Sequence, residues 1–269
     1  MDRFLRLALV VVGLVSLILA FGFCLQLSWA TQFWPWPDTP LSYIFLGSIF
    51  AAAGTGVLWI GLSGEFAAAT GGAINFTITY IGIALSLFLF YRQKSDPYLL
   101  TCIVACVAGA VISAAIFLWF RRYGLRDNQP LPGPVRISFA LFIVMLVFFG
   151  VELILQVPNI FPWKLSGQSS VLFGWIFIGS ACTFVPALLR PKWHFACGQL
   201  IGFLAYDLVL IVPFLLHLSN VIPEQRVSLI VYILVLVYSG ALAIYYLFLN
   251  AQTRLWRISS AQRSGFGVN

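Results

Sequence analysis

Eight runs of roughly 20 apolar residues recur along the chain, each closed by a few polar, charged or proline positions. They lie near 7–27, 41–62, 66–91, 98–120, 137–157, 169–189, 195–217 and 227–249. As a helix, a run of this length crosses a hydrocarbon core of about 30 Å, and in that medium each segment must satisfy its own backbone polar groups. The runs therefore predict an all-α, polytopic transmembrane helical bundle of eight spans. Composition agrees: 61% of the 269 residues are hydrophobic and 9% are charged, against roughly 25% charged in soluble domains. No stretch between the runs is long enough for a separate soluble domain.

The first run follows a basic start, as in a secretory signal, and Ser28-Trp29-Ala30 offers a small-x-small cleavage site. Its apolar length exceeds an ordinary signal core, so it is read as the first span. Cys24, Cys102, Cys106, Cys182 and Cys197 lie in or beside spans. An odd, scattered set is no disulfide framework, and the i, i+4 pair Cys102 and Cys106 reads as packing rather than metal or redox chemistry.

With the first residues inside, Arg92, Lys94, Lys164 and Arg226 face outward and the other eleven of the fifteen Lys and Arg face the cytoplasm. That bias follows the positive-inside rule and places both termini on the cytoplasmic side, in what reads as a bacterial cytoplasmic membrane. The net charge of +7 is explained by cations flanking helix ends and meeting anionic headgroups, so the expected partner is the lipid bilayer and not nucleic acid.

An ungapped shift of 127 residues superposes Pro35-Trp36 on Pro162-Trp163, Ser42 on Ser169, Gly47 on Gly174, Ile49-Phe50 on Ile176-Phe177, Gly71 on Gly198 and Phe76 on Phe203. The expected architecture is two parallel four-helix repeats, 1–120 and 137–257, related by a pseudo-two-fold axis along the membrane normal. A cytoplasmic linker, 121–136, joins them, and a cytoplasmic tail, 258–269, follows.

The shift aligns two outer connections, "FWPWPDTPL" at 33–41 and "FPW" at 161–163. Trp34, Trp36 and Trp163 are expected at headgroup level as an interfacial anchor, or as a docking face over an outward cavity. Asp38 or Thr39 is positioned to cap the second span, with Pro40 in its first turn. The stretch resembles one in uncharacterised bacterial multi-span membrane proteins, W-P-W-x-x-T-P-L before a glycine-containing helix, here Trp34, Pro35, Trp36, Thr39, Pro40, Leu41 and Gly47. That resemblance implies no activity.

Two acids fall well inside spans: Asp207, near the middle of the seventh, and Glu152, in the outer third of the fifth. An intramembrane acid is a functional candidate by default. Every Lys and Arg belongs to a loop or tail, so desolvation favours the protonated form of an acid with no cation at its depth. Tyr206 and Asn75 are placed to join Asp207 as a binding set, and His217 is placed to pair with Glu152. Pro213 is positioned to kink the seventh span beside Asp207. The shift matches Asp207 to Tyr80 and Glu152 to Leu25, so any such site is asymmetric.

"GLSGE" at 61–65 contains G-x-S-G, the nucleophile pattern of rhomboid-type intramembrane serine proteases. Ser63, Glu65 and His194 form the corresponding nucleophile, orienter and base candidates. The span count departs from that family, and no span carries a mid-membrane histidine. The two histidines stand 23 residues apart along one helix, too far to share a metal or haem, and no P-loop, dinucleotide fingerprint or CxxC is present, so no cofactor or metal is expected. Small residues at 47–56, 67–73 and 105–115 predict a tight bundle of spans two, three and four. Three functions follow: a small-solute or proton-linked transporter, a non-catalytic accessory or assembly subunit with a membrane-protein partner or as a homo-oligomer, and an intramembrane hydrolase.

Overall fold

The computed structural model describes residues 2–34, 36, 38–124 and 129–255. All eight expected helices are present, each long and apolar enough to cross a membrane: α1 Asp2–Cys24, α2 Pro40–Ser63, α3 Ala69–Lys94, α4 Pro97–Phe120, α5 Gly133–Ile154, α6 Gly167–Thr183, α7 Trp193–His217 and α8 Pro223–Ile244. The chain is an integral membrane protein. Proline opens several helices, at Pro40, Pro97 and Pro223, where its missing N–H costs nothing. α6 breaks at Phe184 and resumes as Val185–Leu189, with Pro186 in its first turn. Pro213 lies within α7, which continues to His217. The tail expected at 258–269 lies outside the described residues.

Chain order is not packing order. α2 packs along α1 and α7, and α7 carries α8; α3 packs along α4 and α6, and α6 carries α5. The result is two rows, α1-α2-α7-α8 and α4-α3-α6-α5, each built from one hairpin of either half. Consecutive α2 and α3 barely touch. Of the tight bundle expected of spans two, three and four, the pairing of three with four is present, while span two packs on α1 and α7 instead.

Within the rows, backbones meet at glycine. A β-carbon on Gly54 would lie 3.0 Å from the Gly13 carbonyl oxygen, and one on Gly174 only 2.6 Å from that of Gly150. With no hydrophobic drive between helices in lipid, such close approach supplies the packing. Between the rows, large rings take over. Phe45 of α2 meets Phe173 and Phe177 of α6 at 5.5 and 6.0 Å, and Phe142 of α5 meets Phe203 of α7 at 5.0 Å. The hydroxyls of Ser138 on α5 and Tyr238 on α8 stand 2.6 Å apart across the same divide.

Both segments rich in tryptophan and proline fold over one end of the bundle, here called the strap end. At the opposite end the residues after α4 clip to the turn before α7, Leu131 N–H donating to Pro191 O and Trp193 N–H to Gln129 O, each at 2.9 Å.

Candidate functional site

Asp207 sits on the face of α7 that meets α8, about 21 Å along the helix from Trp193. It is 6% exposed. Its Oδ1 lies 3.0 Å from Ser239 Oγ, while its Oδ2 is buried without a hydrogen-bond partner beside Gly240. Ser239 also reaches Val235 O at 2.8 Å. A hydroxyl has one hydrogen, so the carboxyl and the backbone carbonyl compete for it.

About 10 Å nearer the strap end, two helical turns along both α7 and α8, lie Phe214 and Tyr232, with ring centroids 5.9 Å apart. The Tyr232 hydroxyl is buried and unpartnered. Above them the rings close ranks: Phe161 stacks on Tyr232 at 5.7 Å, Trp163 meets Phe214 at 5.7 Å, and Phe45 meets Phe161 at 5.0 Å and Tyr206 at 5.9 Å. This aromatic plug separates Asp207 from the strap end.

The straps lock the plug through a reciprocal clasp. From the second strap, Trp163 Nε1–H donates to Ser42 Oγ on α2 at 2.8 Å. From the first, Asp38 Oδ2 accepts from Ser169 Oγ on α6 at 2.5 Å and from Trp34 Nε1–H at 2.8 Å. Each strap thus grips the first turn of the helix that follows the other. Of the two expected caps, Thr39 occupies the N-cap position of α2 without a side-chain cap bond, and Asp38 stands one residue before it. The Asp38 carboxyl serves the α6 serine rather than its own helix. Asp38 Oδ1 is buried and unpartnered. Burial pushes its carboxyl above the usual carboxylate range, and the hydrogen bonds from Ser169 and Trp34, with the nearby Ser166 backbone, oppose that shift.

The tryptophans are not alike. Trp163 is 5% exposed and packs inside the plug, facing the bundle interior. Trp34 and Trp36 are half-buried, edge to face at 5.1 Å.

His217 does not pair with Glu152. Its Nε2 lies 2.9 Å from Pro162 O, which can only accept, so Nε2 carries the hydrogen and holds the second strap. Ser228 Oγ likewise donates to Ile160 O. Asn75 belongs to the other row: its Oδ1 accepts from Thr79 at 3.1 Å, close against Gly179 of α6. Of the five expected binding residues, the fold brings together Asp207 and Tyr206 and disperses Glu152, His217 and Asn75.

The G-x-S-G turn is a helix end. Gly64 closes α2 in the left-handed region, φ +75°, against the Arg6 guanidinium, which donates to Ser63 O at 2.8 Å. A side chain at 64 would meet both strain and that guanidinium. Ser63 Oγ accepts from Glu65 N–H at 3.3 Å. His194 instead stacks on Trp59, with Nδ1 buried and unpartnered. Among the described contacts, Ser63 and His194 are not hydrogen-bonded to each other. No group of three His, Cys, Asp or Glu able to hold a metal is found among the described residues.

Comparison with protein-family models, with curated proteins and with solved structures finds no match for this chain.

Proposed function

We propose that the chain is a proton-linked carrier of a small solute, held here in a conformation closed at the strap end. The observation that carries this reading is Asp207: a mid-span carboxyl between α7 and α8 with one oxygen unpartnered and the other contesting a single serine hydrogen. Protonated, Asp207 donates to Ser239 Oγ and Ser239 donates to Val235 O. Ionised, it takes the Ser239 hydrogen and leaves Val235 O without it. Exchange of one proton thus re-sorts the bonds joining two helices, and an intramembrane acid with that property is the ordinary device of proton-coupled transport.

The duplicated architecture belongs to the same proposal. Helix ends recur at the 127-residue shift within about one turn, once α6 is carried through its resumption to Leu189, and the contacts α1–α2, α2–α7 and α7–α8 have counterparts in α5–α6, α6–α3 and α3–α4. One refinement follows. Gly47 abuts Ala20 O and Cys24 N, and Gly174 abuts Gly150 O and Ile154 N, so the first helix of the second unit sits three residues further along. Cytoplasmic termini in a bacterial cytoplasmic membrane remain the orientation that charge bias supports.

An accessory-subunit role rested on missing catalytic signatures and on the straps as a docking face. The Trp163 indole N–H and Asp38 Oδ2 are engaged within the bundle, which favours the carrier.

The test is solid-supported-membrane electrophysiology on proteoliposomes under an imposed pH gradient, with panels of amino acids, sugars and carboxylates. Solute-dependent current in the wild type and its loss in Asp207→Asn is the expected result. Equal current in the variant removes Asp207 from the mechanism.

A further inference from the structure

A groove of about 310 Å³ runs between α3 and α4, in the row that does not contain Asp207. Thr77, Ile81 and Ala84 line it from α3, and Val107, Ala110 and Ala114 from α4. Its one polar residue, Thr77, donates its hydroxyl hydrogen to Ala73 O at 2.8 Å, so the lining offers an apolar surface. Ile81 and Val107 are exposed at its rim, at mid-span, so the groove opens toward hydrocarbon.

The first half alone is built this way. The residues 127 positions on from Thr77, Ala84, Ala110 and Val111 are Leu204, Ile211, Val237 and Tyr238. Each is larger, so α7 and α8 bring bulk where α3 and α4 leave room.

The groove also points at a cation. Val107, Ala114 and Arg121 follow one another at intervals of seven, which keeps them on one line of a helix with a drift of about 20° per interval. Arg121 N–H donates to Phe117 O at 3.0 Å, so the helical course holds to that residue. From Val107 to Arg121 is about 21 Å at 1.5 Å per residue, half of the roughly 40–45 Å that a bilayer measures with its headgroups. The line thus joins mid-membrane to headgroup level at the end opposite the straps, where Arg121 is exposed. Among the described residues, cations outnumber acids at that end, where Asp2 and Glu65 are the acids and Glu65 is buried. The strap end is balanced, with Asp38, Asp96, Glu152 and Glu224 against Arg92, Lys94, Lys164 and Arg226. An anionic headgroup is therefore favoured at Arg121 and not at the other mouth of the groove.

We propose that the groove holds one acyl chain of an anionic phospholipid, whose phosphate lies on Arg121. A guanidinium matches phosphate in geometry and charge, and a chain seated along Val107, Ala110 and Ala114 recovers the dispersion contacts that an open groove forfeits. The site is independent of the carrier reading. It occurs once per chain, because the position 127 residues after Arg121 is Phe248.

The test is native mass spectrometry of the full chain, delipidated and then offered equal amounts of phosphatidylglycerol and phosphatidylcholine with matched chains. The expected result is preferential retention of one phosphatidylglycerol, reduced about fivefold or more in Arg121→Gln and in Ala114→Phe and nearly unchanged in Arg122→Gln. Arg122→Gln removes the same charge about 100° round the helix, so equal losses from the two arginine variants would mean general charge attraction and overturn the groove. Equal retention of both lipids, or phosphatidylglycerol binding indifferent to Ala114→Phe, overturns it too. A dimer that Ala114→Phe breaks up would give the face to a second copy of the chain and likewise overturn the proposal. Should Ala114→Phe lower the melting temperature sharply, Val111→Trp takes its place, because Val111 lines the same groove and is 63% exposed.

Discussion

At the scale of single residues, polar groups in this molecule act through what they lack as much as through what they hold. Asp38 serves two donors with one oxygen and leaves the other buried. Asp38→Asn retains an acceptor for both donors and should fold normally. Asp38→Ala strands the Trp34 indole N–H and the Ser169 hydroxyl and should cost about 1–3 kcal/mol in unfolding assays. The pH dependence has a definite sign. Burial raises the Asp38 carboxyl, so the folded state binds its proton more tightly than the unfolded one. That contribution is greatest in acid and is lost as pH rises through the folded value. Melting temperatures of wild type and Asp38→Asn should therefore converge in acid, with the wild type falling behind as pH rises; the opposite trend would mean that the bonds to Ser169 and Trp34 outweigh burial. Asp207 was legible as an intramembrane acid. Ser239 and Tyr232 were not, because one serine and one tyrosine among many gain meaning only from the helix they face.

At the scale of helices, packing partners divide by side-chain size. Glycine brings α1 to α2 and α5 to α6, while phenylalanine fills the space between the rows. Gly174→Val would drive a branched side chain toward the Gly150 carbonyl and should destabilise the α5–α6 pair by roughly 1–3 kcal/mol. Gly72 is the contrast. A β-carbon there meets nothing within 4 Å, so Gly72→Ala should be neutral or slightly stabilising through helix propensity. Thermal unfolding of the two variants in detergent distinguishes them. All eight spans could be read from sequence to within a few residues, since apolar length is a one-dimensional signal. Which helices pair is set by which faces match in three dimensions, and small-residue density in 47–56 and 67–73 was silent on that.

At the scale of the whole molecule, two rows interleave hairpins from both halves, and a clasp of straps closes one end over a ring-filled core. The interleaving has a direct chemical signature. A β-carbon on Gly202 of α7 would lie 3.7 Å from that of Ala52 on α2, within the reach of a disulfide. Ala52→Cys with Gly202→Cys, in a background with the native cysteines replaced, should crosslink on mild oxidation and join two fragments cleaved in the 121–136 linker. Failure to join them would contradict the row order. The repeat in sequence pointed to two similar halves, and the 127-residue match of Ser42 to Ser169 marked both ends of the clasp. Asp38 reaching the opposite half was hidden, because sequence rules for capping look only along the chain.

The central claim is that Asp207 exchanges a proton while buried between α7 and α8. Infrared difference spectroscopy of the reconstituted protein, stepped between acid and alkaline buffer, tests it at the carboxyl itself. A protonated-carboxyl band that disappears on alkalinisation, is absent from Asp207→Asn and shifts in Ser239→Ala is the predicted result. A carboxyl signal identical in wild type and Asp207→Asn across the whole pH range would contradict the account.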